Sequence, residues 1–167
     1  MKRVARNLVA GIVAFSCVVL LCGCKREKPL KIGLPAPEIS ALDLQDKRVR
    51  LADYRGKSIV IRFWSSTCKA CVDELPAMDT LYKRYKAEGL VVLAVNIGDS
   101  KETVETFIRE RNLTFPVLLD SVAITAGKYG VHAVPTTFLI DREGVVRKAF
   151  LGETPKDIFE IAVRDLL

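Results

Sequence analysis

The sequence is short of the side chains from which metal and haem sites are built. His132 is the only histidine among 167 residues, and of five cysteines only Cys68 and Cys71 lie beyond residue 24. A structural zinc site needs four ligands of this kind, and a catalytic site needs three. Covalent haem attachment needs a histidine directly after the second cysteine, where Val72 stands. We therefore predict no metal and no haem site.

The charge and composition of the chain argue against several other classes of protein. The formal net charge is only +6, and no basic stripe interleaved with aromatic residues is present, so nothing indicates a nucleic-acid partner. The chain has no internal repeat and no low-complexity tract. Because 50% of its residues are apolar, it can bury the core of one ordinary domain.

The first 23 residues have the layout of an export signal. The first seven residues include three basic residues and no acidic one: Lys2, Arg3 and Arg6. Uncharged, mostly apolar residues follow from 8 to 23. That stretch is shorter than the roughly 20 residues that span a bilayer as a helix. We therefore predict a lipoprotein signal peptide over residues 1–23, with an uncleaved membrane anchor as the alternative.

The signal ends in Leu21-Cys22-Gly23-Cys24, which resembles a bacterial lipobox. In a lipobox, small residues precede a cysteine that is diacylated and becomes the new N-terminus. Cys24 fits this pattern, whereas Cys22 follows the bulky Leu21. We predict lipidation of Cys24, the alternative being a cysteine that merely lies near a membrane segment.

Cleavage before Cys24 leaves a lipidated tether and one domain. Residues 24–37 are first charged and then rich in proline and glycine, as a tether is, and residues 38–167 form the predicted domain. Three positive charges leave with the signal, so the formal net charge falls from +6 to +3. We expect the protein outside the cytoplasm, on the periplasmic side or the outer face of the cell membrane, where disulfides persist.

From residue 38 onward, strand-like and helix-like patterns alternate. The predicted strands are 58–64, 90–97, 116–119, 136–140 and 145–150, and the predicted helices are 71–89, 101–111, 122–129 and 155–166. Such alternation predicts an α/β domain with a largely parallel central sheet, whose last pair is antiparallel because a tight turn joins it at 141–144.

Cys68 and Cys71 are a structural staple or a redox pair. A bridge over two intervening residues closes a very small loop and so would stabilise little. The redox interpretation also explains the position, because Cys68 follows a buried strand and opens a helix, whose free N–H groups and dipole favour a thiolate. Cys71, one turn later, can then attack the mixed disulfide. Lys69 adds positive potential.

The cysteine segment carries a family resemblance. Phe63-Trp64, then Cys68-Lys69-Ala70-Cys71 and Pro76, resembles the active-site segment of thioredoxins. The closer similarity is to ResA/TlpA-type membrane-anchored thioredoxin-like thiol–disulfide oxidoreductases, and it includes 33–37, 51–57 and 134–141. The resemblance implies a thioredoxin-like fold: a central mixed β-sheet flanked by helices, with an extra helix–strand insert around residues 101–119.

The resemblance also assigns roles to residues outside the pair. Pro135 would be cis and lie beside the cysteines, so that Val134 offers its backbone to an extended substrate segment. Trp64 would pack under the active-site turn and contribute to the substrate surface. Glu74 is either a carboxylate that exchanges the Cys71 proton or an exposed acid favoured by the helix dipole. His132 is a further candidate for tuning Cys68, the alternative being an incidental loop histidine.

These features predict an exported, lipid-anchored thiol–disulfide oxidoreductase without a cofactor other than the redox-active Cys68–Cys71 disulfide. By resemblance it reduces protein disulfides such as those of apocytochrome c, and a DsbD- or CcdA-like membrane donor re-reduces it. Lys69 and Ala70 depart from the family's usual intervening residues, which leaves the direction of electron flow open. The alternatives are a peroxiredoxin-like thiol peroxidase and a non-catalytic binding module with this fold.

Overall fold

The computed structural model describes residues 30–167. The domain alternates strands and helices in the order expected from the sequence, and two short strands precede the first predicted one. The strands are β1 (Ala41–Asp43), β2 (Arg48–Val49), β3 (Ser58–Trp64), β4 (Leu90–Asn96), β5 (Val117–Leu119), β6 (Thr136–Ile140) and β7 (Val146–Leu151). The helices are α1 (Lys69–Tyr85), α2 (Lys101–Glu110), α3 (Ile124–Lys128) and α4 (Lys156–Arg164).

The seven strands form one mixed sheet in the order β2-β1-β5-β4-β3-β6-β7. The pairs β3–β4 and β4–β5 are parallel, and the other neighbouring pairs are antiparallel. The prediction of a largely parallel sheet is therefore wrong, because β6 runs back along β3 and the β1–β2 hairpin was not recognised. The mixed sheet flanked by helices that the resemblance implied is confirmed.

The middle of the sheet is formed by strands that are buried on both faces. All seven residues of β3 are buried, as expected for an apolar, β-branched run at the centre of a sheet. Side chains alternate between the faces. Val60 and Trp64 pack with helices α1, α2 and α4, whereas Ile61 and Phe63 pack with α3 on the other face. Residues at the carboxyl end of β3 therefore lie beneath the start of α1.

Helix α1 connects the end of β3 to the start of β4. Its regular turns end at Tyr85, a short 3₁₀ turn follows, and Gly89 takes a left-handed conformation with φ of 103°. Glycine adopts this conformation without the steric cost that a Cβ atom would bring. The predicted closure of the helix at Gly89 is thus confirmed.

Ordered contacts of the domain begin before residue 38. The Gly33 amide donates to the Val146 carbonyl at 2.8 Å, and the Val146 amide donates to the Leu34 carbonyl at 3.0 Å. The last residues of the predicted tether thus lie against the β6–β7 hairpin. The predicted signal peptide, the lipidation site Cys24 and the remainder of the tether up to residue 29 lie outside the described residues. Among residues 30–167, no helix is long and apolar enough to cross a membrane.

Candidate active site

Cys68 and Cys71 form a disulfide at the N-terminus of α1, where the sequence placed them. Cys68 is the N-cap residue, and its Sγ accepts a hydrogen bond from the Cys71 amide at 3.2 Å. The two Cα atoms are 5.2 Å apart. Cys68 is partly exposed, whereas Cys71 is completely buried. Because only one sulfur faces solvent, a protein substrate can reach the pair only through Cys68.

The position of Cys68 favours its thiolate after reduction. The first N–H groups of a helix have no partner within the helix, and the dipole places positive potential at this end. Lys69, the nearest cation in sequence, is exposed and forms an ion pair with Asp73. The Asp73 carboxylate therefore offsets part of the positive potential that Lys69 adds.

A polar network fixes the loop that leads into Cys68. The Asp99 carboxylate accepts hydrogen bonds from the Ser66 amide at 2.7 Å and the Ser66 hydroxyl at 2.9 Å. The side chain of Asn96, at the buried end of β4, donates to the same carboxylate at 2.6 Å. This network was not predicted from the sequence, since Asn96 and Asp99 resemble ordinary strand-end residues. Only the topology of the sheet brings them to the cysteine loop.

The segment before β6 lies against the cysteine pair. The Val134–Pro135 bond is cis, as the resemblance implied. The Val134 carbonyl oxygen is 3.6 Å from Cys68 Sγ, although the two residues are 66 positions apart. Pro135 is buried, and its carbonyl accepts a hydrogen bond from the Gly152 amide at 2.8 Å. The structure thus brings Cys68, Val134 and Pro135 together; their contact with substrate stays a prediction.

Glu74 makes contacts that neither sequence interpretation anticipated. Its carboxylate forms an ion pair with the buried Arg62 guanidinium and accepts a hydrogen bond from the Thr154 amide at 3.0 Å. The Glu74 side chain is 21% exposed, so it is not a freely solvated acid. Each carboxylate oxygen thus has a partner, and proton exchange with Cys71 stays a prediction. It links α1 to the sheet and to the segment after β7.

Arg62 is a further residue near the site that was not predicted from the sequence. It was counted within the apolar run of β3, yet a charged residue in a buried strand demands a partner. The structure supplies two partners, because Arg62 Nη1 donates to Thr137 Oγ1 at 2.8 Å and Nη2 contacts Glu74. The signal was therefore present in the sequence as a lone cation within a strand predicted to be buried on both faces.

Trp64 does not reach the substrate surface. Its side chain is 0% exposed, and its ring lies 4.9 Å from that of Phe107 on α2, centroid to centroid. Trp64 belongs to the same apolar cluster as Cys71, and its complete burial contradicts the expected contribution to the substrate surface. The inserted helix α2 covers the indole, which explains why a residue next to the active-site loop belongs to the core.

The contacts of the two cysteines among the described residues do not include His132. It is exposed on the segment before Pro135 and lines a surface cavity of about 460 Å³ together with Thr136 and Leu151. A second cavity, of about 290 Å³, lies between α1 and α4 and includes Arg62, Glu74 and Phe159. Within residues 30–167, no three histidine, cysteine or acidic side chains come together as a metal site would require.

Together these features define a thiol–disulfide redox site: an accessible sulfur at a helix N-terminus, a buried second sulfur, and a cis-proline segment beside them. The AhpC/TSA family model matches residues 32–149. The thiol-disulfide oxidoreductase ResA of Geobacillus thermodenitrificans is 42% identical over 126 residues, which cover 75% of this chain and 72% of the relative. ResA of Bacillus subtilis is 39% identical over 120 residues, which cover 72% and 67%.

Solved structures agree with these sequence matches. The crystal structure of a thiol:disulfide interchange protein named DsbE from Chlorobium tepidum has a TM-score of 0.73 and 32% sequence identity, and the match covers 82% of this chain and 95% of that one. The chain therefore belongs to the AhpC/TSA family and, within it, to the ResA thiol–disulfide oxidoreductases. The predicted thioredoxin-like fold and enzyme class are confirmed.

Proposed function

We propose that this protein is an exported, lipid-anchored reductase of protein disulfides. The observation that carries the proposal is the asymmetry of the cysteine pair, with a partly exposed Cys68 at the start of α1 and a completely buried Cys71 behind it. This arrangement suits one sulfur to attack and the other to resolve.

The exchange proceeds in two steps from the reduced protein. The Cys68 thiolate attacks one sulfur of the substrate disulfide, which breaks the substrate S–S bond, forms a mixed disulfide and releases a substrate thiolate that takes up a proton. Cys71 then loses its proton and attacks Cys68, which forms the Cys68–Cys71 disulfide and releases the second substrate thiol. Two electrons pass in total from protein to substrate, and the substrate takes up two protons, one released by Cys71 and one from solvent. The Val134 backbone would pair with the extended substrate segment.

The physiological substrate that we propose is the oxidised cysteine pair of apocytochrome c before haem attachment. The support is the family membership, together with the predicted export signal and the Cys68–Cys71 pair. Each cycle then needs two electrons and two protons from outside. A thiol-bearing membrane carrier of the DsbD or CcdA kind would supply them by the same exchange in reverse.

The direction of electron flow is tested by equilibrating the protein with glutathione or dithiothreitol redox buffers. We expect a reduction potential near that of thioredoxin, roughly −270 mV, and a value near that of DsbA, roughly −120 mV, would refute the reductase role.

The proposed substrate is tested with two disulfide-bonded peptides. One has the haem-attachment spacing of its cysteines and the adjacent histidine, and the other has a scrambled sequence. Equal rates for both would refute the cytochrome assignment. Peroxide consumption with a thiol donor at a comparable rate would favour the peroxidase alternative instead.

The lipid anchor is tested at Cys24. We expect Cys24→Ser to prevent acylation and move the protein from the membrane fraction to the soluble extracytoplasmic fraction, because a thioether-linked diacylglycerol can form only on the cysteine. Labelling with a radioactive or clickable fatty acid checks the modification directly, and Cys22→Ser is the matched control. Labelling that persists in Cys24→Ser would contradict the proposal.

A further inference from the structure

The segment that precedes β1 enters the domain along the outer edge of β7. The Leu34 carbonyl accepts a hydrogen bond from the Val146 amide at 3.0 Å, and the segment runs antiparallel to the strand. Traced back toward the N-terminus, the chain then reaches Leu30 and Ile32. Both of these residues line the same surface cavity as Leu151 at the far end of β7.

This end of β7 adjoins the active site. The Gly152 amide, next to Leu151, donates to the Pro135 carbonyl at 2.8 Å. The Val134 carbonyl oxygen in turn lies 3.6 Å from Cys68 Sγ. The N-terminal segment therefore joins the domain at the end of the sheet that carries the cysteine pair.

Exposed apolar and basic side chains surround the point of entry. Ile32 is 56% exposed and Leu151 is 80% exposed, and Lys31 is exposed as well. Within residues 30–167, the side chains that line the cavity include Lys128 and His132 but no acidic residue. Apolar side chains of this kind can enter the headgroup boundary of a bilayer, and neighbouring cations are attracted to anionic lipid.

The predicted tether is too short to let the domain move far from the membrane. Only residues 25–29 separate Cys24 from Leu30, and three of these five are basic while one is acidic. The six steps between the two Cα atoms reach at most roughly 20 Å. A domain of this size is wider, roughly 35 Å across. Such a tether raises the effective concentration of the entry region at the bilayer, so even a weak contact there is formed for much of the time.

We propose that Ile32, Leu151 and Lys31 form a membrane-contact surface that turns the active-site end of the domain toward an anionic lipid bilayer. The inference rests on the lipid anchor of the proposed function, but not on the direction of electron flow or on the substrate. It goes beyond anchoring, because a tether alone leaves the domain free to rotate. In this orientation Cys68 lies on the membrane side, within reach of partners whose cysteines are held at the membrane surface.

The test measures how fast individual lysines are acetylated in the acylated protein, purified from membranes and reconstituted into vesicles. Phosphatidylcholine with about 30% phosphatidylglycerol provides an anionic surface without amines. In Ile32→Ser/Leu151→Ser, Lys31 should be acetylated about threefold or more faster than in wild type, because the apolar contact that shields it is lost. Lys57 and Lys86, exposed at the opposite end of the sheet, are internal references and should not change. Mass spectrometry of peptides quantifies each lysine.

Two controls separate contact with lipid from other effects. Ile158→Ser/Ile161→Ser removes two isoleucines that are 49% and 54% exposed on α4, which packs on the other face of the sheet, and should acetylate Lys31 at the wild-type rate. In a neutral detergent, wild type and Ile32→Ser/Leu151→Ser should acetylate Lys31 equally fast. Both substituted side chains are exposed, so the variant should keep its fold, which circular dichroism checks.

Equal acetylation of Lys31 by wild type and Ile32→Ser/Leu151→Ser in vesicles would overturn the membrane-contact surface and favour a protein partner for this patch. A difference that persists in detergent would also overturn it, because the effect on Lys31 would then be local. Failure of the proposed anchor is distinguishable from both results. The intact mass of the purified protein shows whether it carries the diacylglycerol, and its absence would contradict the lipid anchor itself.

Discussion

Replacing Cys68 with serine is expected to lower the rate of disulfide exchange by at least about a thousandfold, because the hydroxyl cannot serve as the attacking thiolate. The buried Cys71 cannot take over, since substrate does not reach it. A stopped-flow measurement with a disulfide-bonded peptide checks the rate. We expect the variant to keep its fold, because the cysteines lie at the start of α1 and not in the middle of the sheet. Circular dichroism of the same sample checks this expectation.

Cys71→Ser is the matched variant and gives a different result. The first attack by Cys68 remains possible, but resolution is lost, so substrate accumulates as a mixed disulfide with Cys68. Mass spectrometry of trapped complexes from the extracytoplasmic fraction identifies the physiological substrates at the same time. If Cys68→Ser traps substrate instead, the assignment of attacking and resolving sulfurs is reversed. If the variants retain the biological role of the protein although disulfide exchange is lost, the non-catalytic binding-module alternative is correct.

Glu74→Ala should lower the free energy of unfolding by about 3 kcal/mol, because it leaves the buried Arg62 guanidinium without its anionic partner. It also removes the acceptor for the Thr154 amide. Urea unfolding of the oxidised protein, followed by circular dichroism, measures the change. This loss of free energy of unfolding applies when one partner of the buried ion pair is removed and the other is left. Replacing both partners with apolar residues should cost much less.

Asp73→Ala provides the control for this measurement. Asp73 lies next to Glu74 on α1 and also forms an ion pair, but its partner Lys69 is 89% exposed. Exposed pairs contribute about 0 to 1 kcal/mol, so this variant should unfold close to wild type. Equal destabilisation by the two variants would show that loss of a helical side chain, and not burial of an unpaired charge, determines the effect.

The sequence predicted the fold well where one principle dominates. The buried strands at 58–64 and 90–97 and the helix after Cys68 follow from apolar runs and helical periodicity, and all are present. The β1–β2 hairpin was missed because strands of two or three residues carry almost no periodic signal. The prediction of mostly parallel strand pairs was wrong, because the direction of a strand depends on long connections such as the one that leads into β6.

The site was predictable to the extent that it is local. Cys68 and Cys71 lie in one segment, and their spacing and position at a helix start indicated their chemistry. Val134 and Pro135 were reached only through resemblance, because nothing in their own sequence points to a partner 66 residues away. Trp64 and Glu74 were interpreted from their neighbours in sequence, whereas the helix that covers Trp64 and the guanidinium that engages Glu74 come from other parts of the chain.

The burial of Cys71 has a consequence for small-molecule chemistry. Of the two cysteines among residues 30–167, only Cys68 is accessible to glutathione, nitrosating agents and covalent inhibitors, and it lies directly in front of a sulfur able to expel them. Cys71 can therefore remove an adduct that is joined to Cys68 through a disulfide. Each removal oxidises one protein molecule to the Cys68–Cys71 disulfide. A lasting inhibitor of this protein must form a bond that a thiolate cannot reverse, such as a thioether.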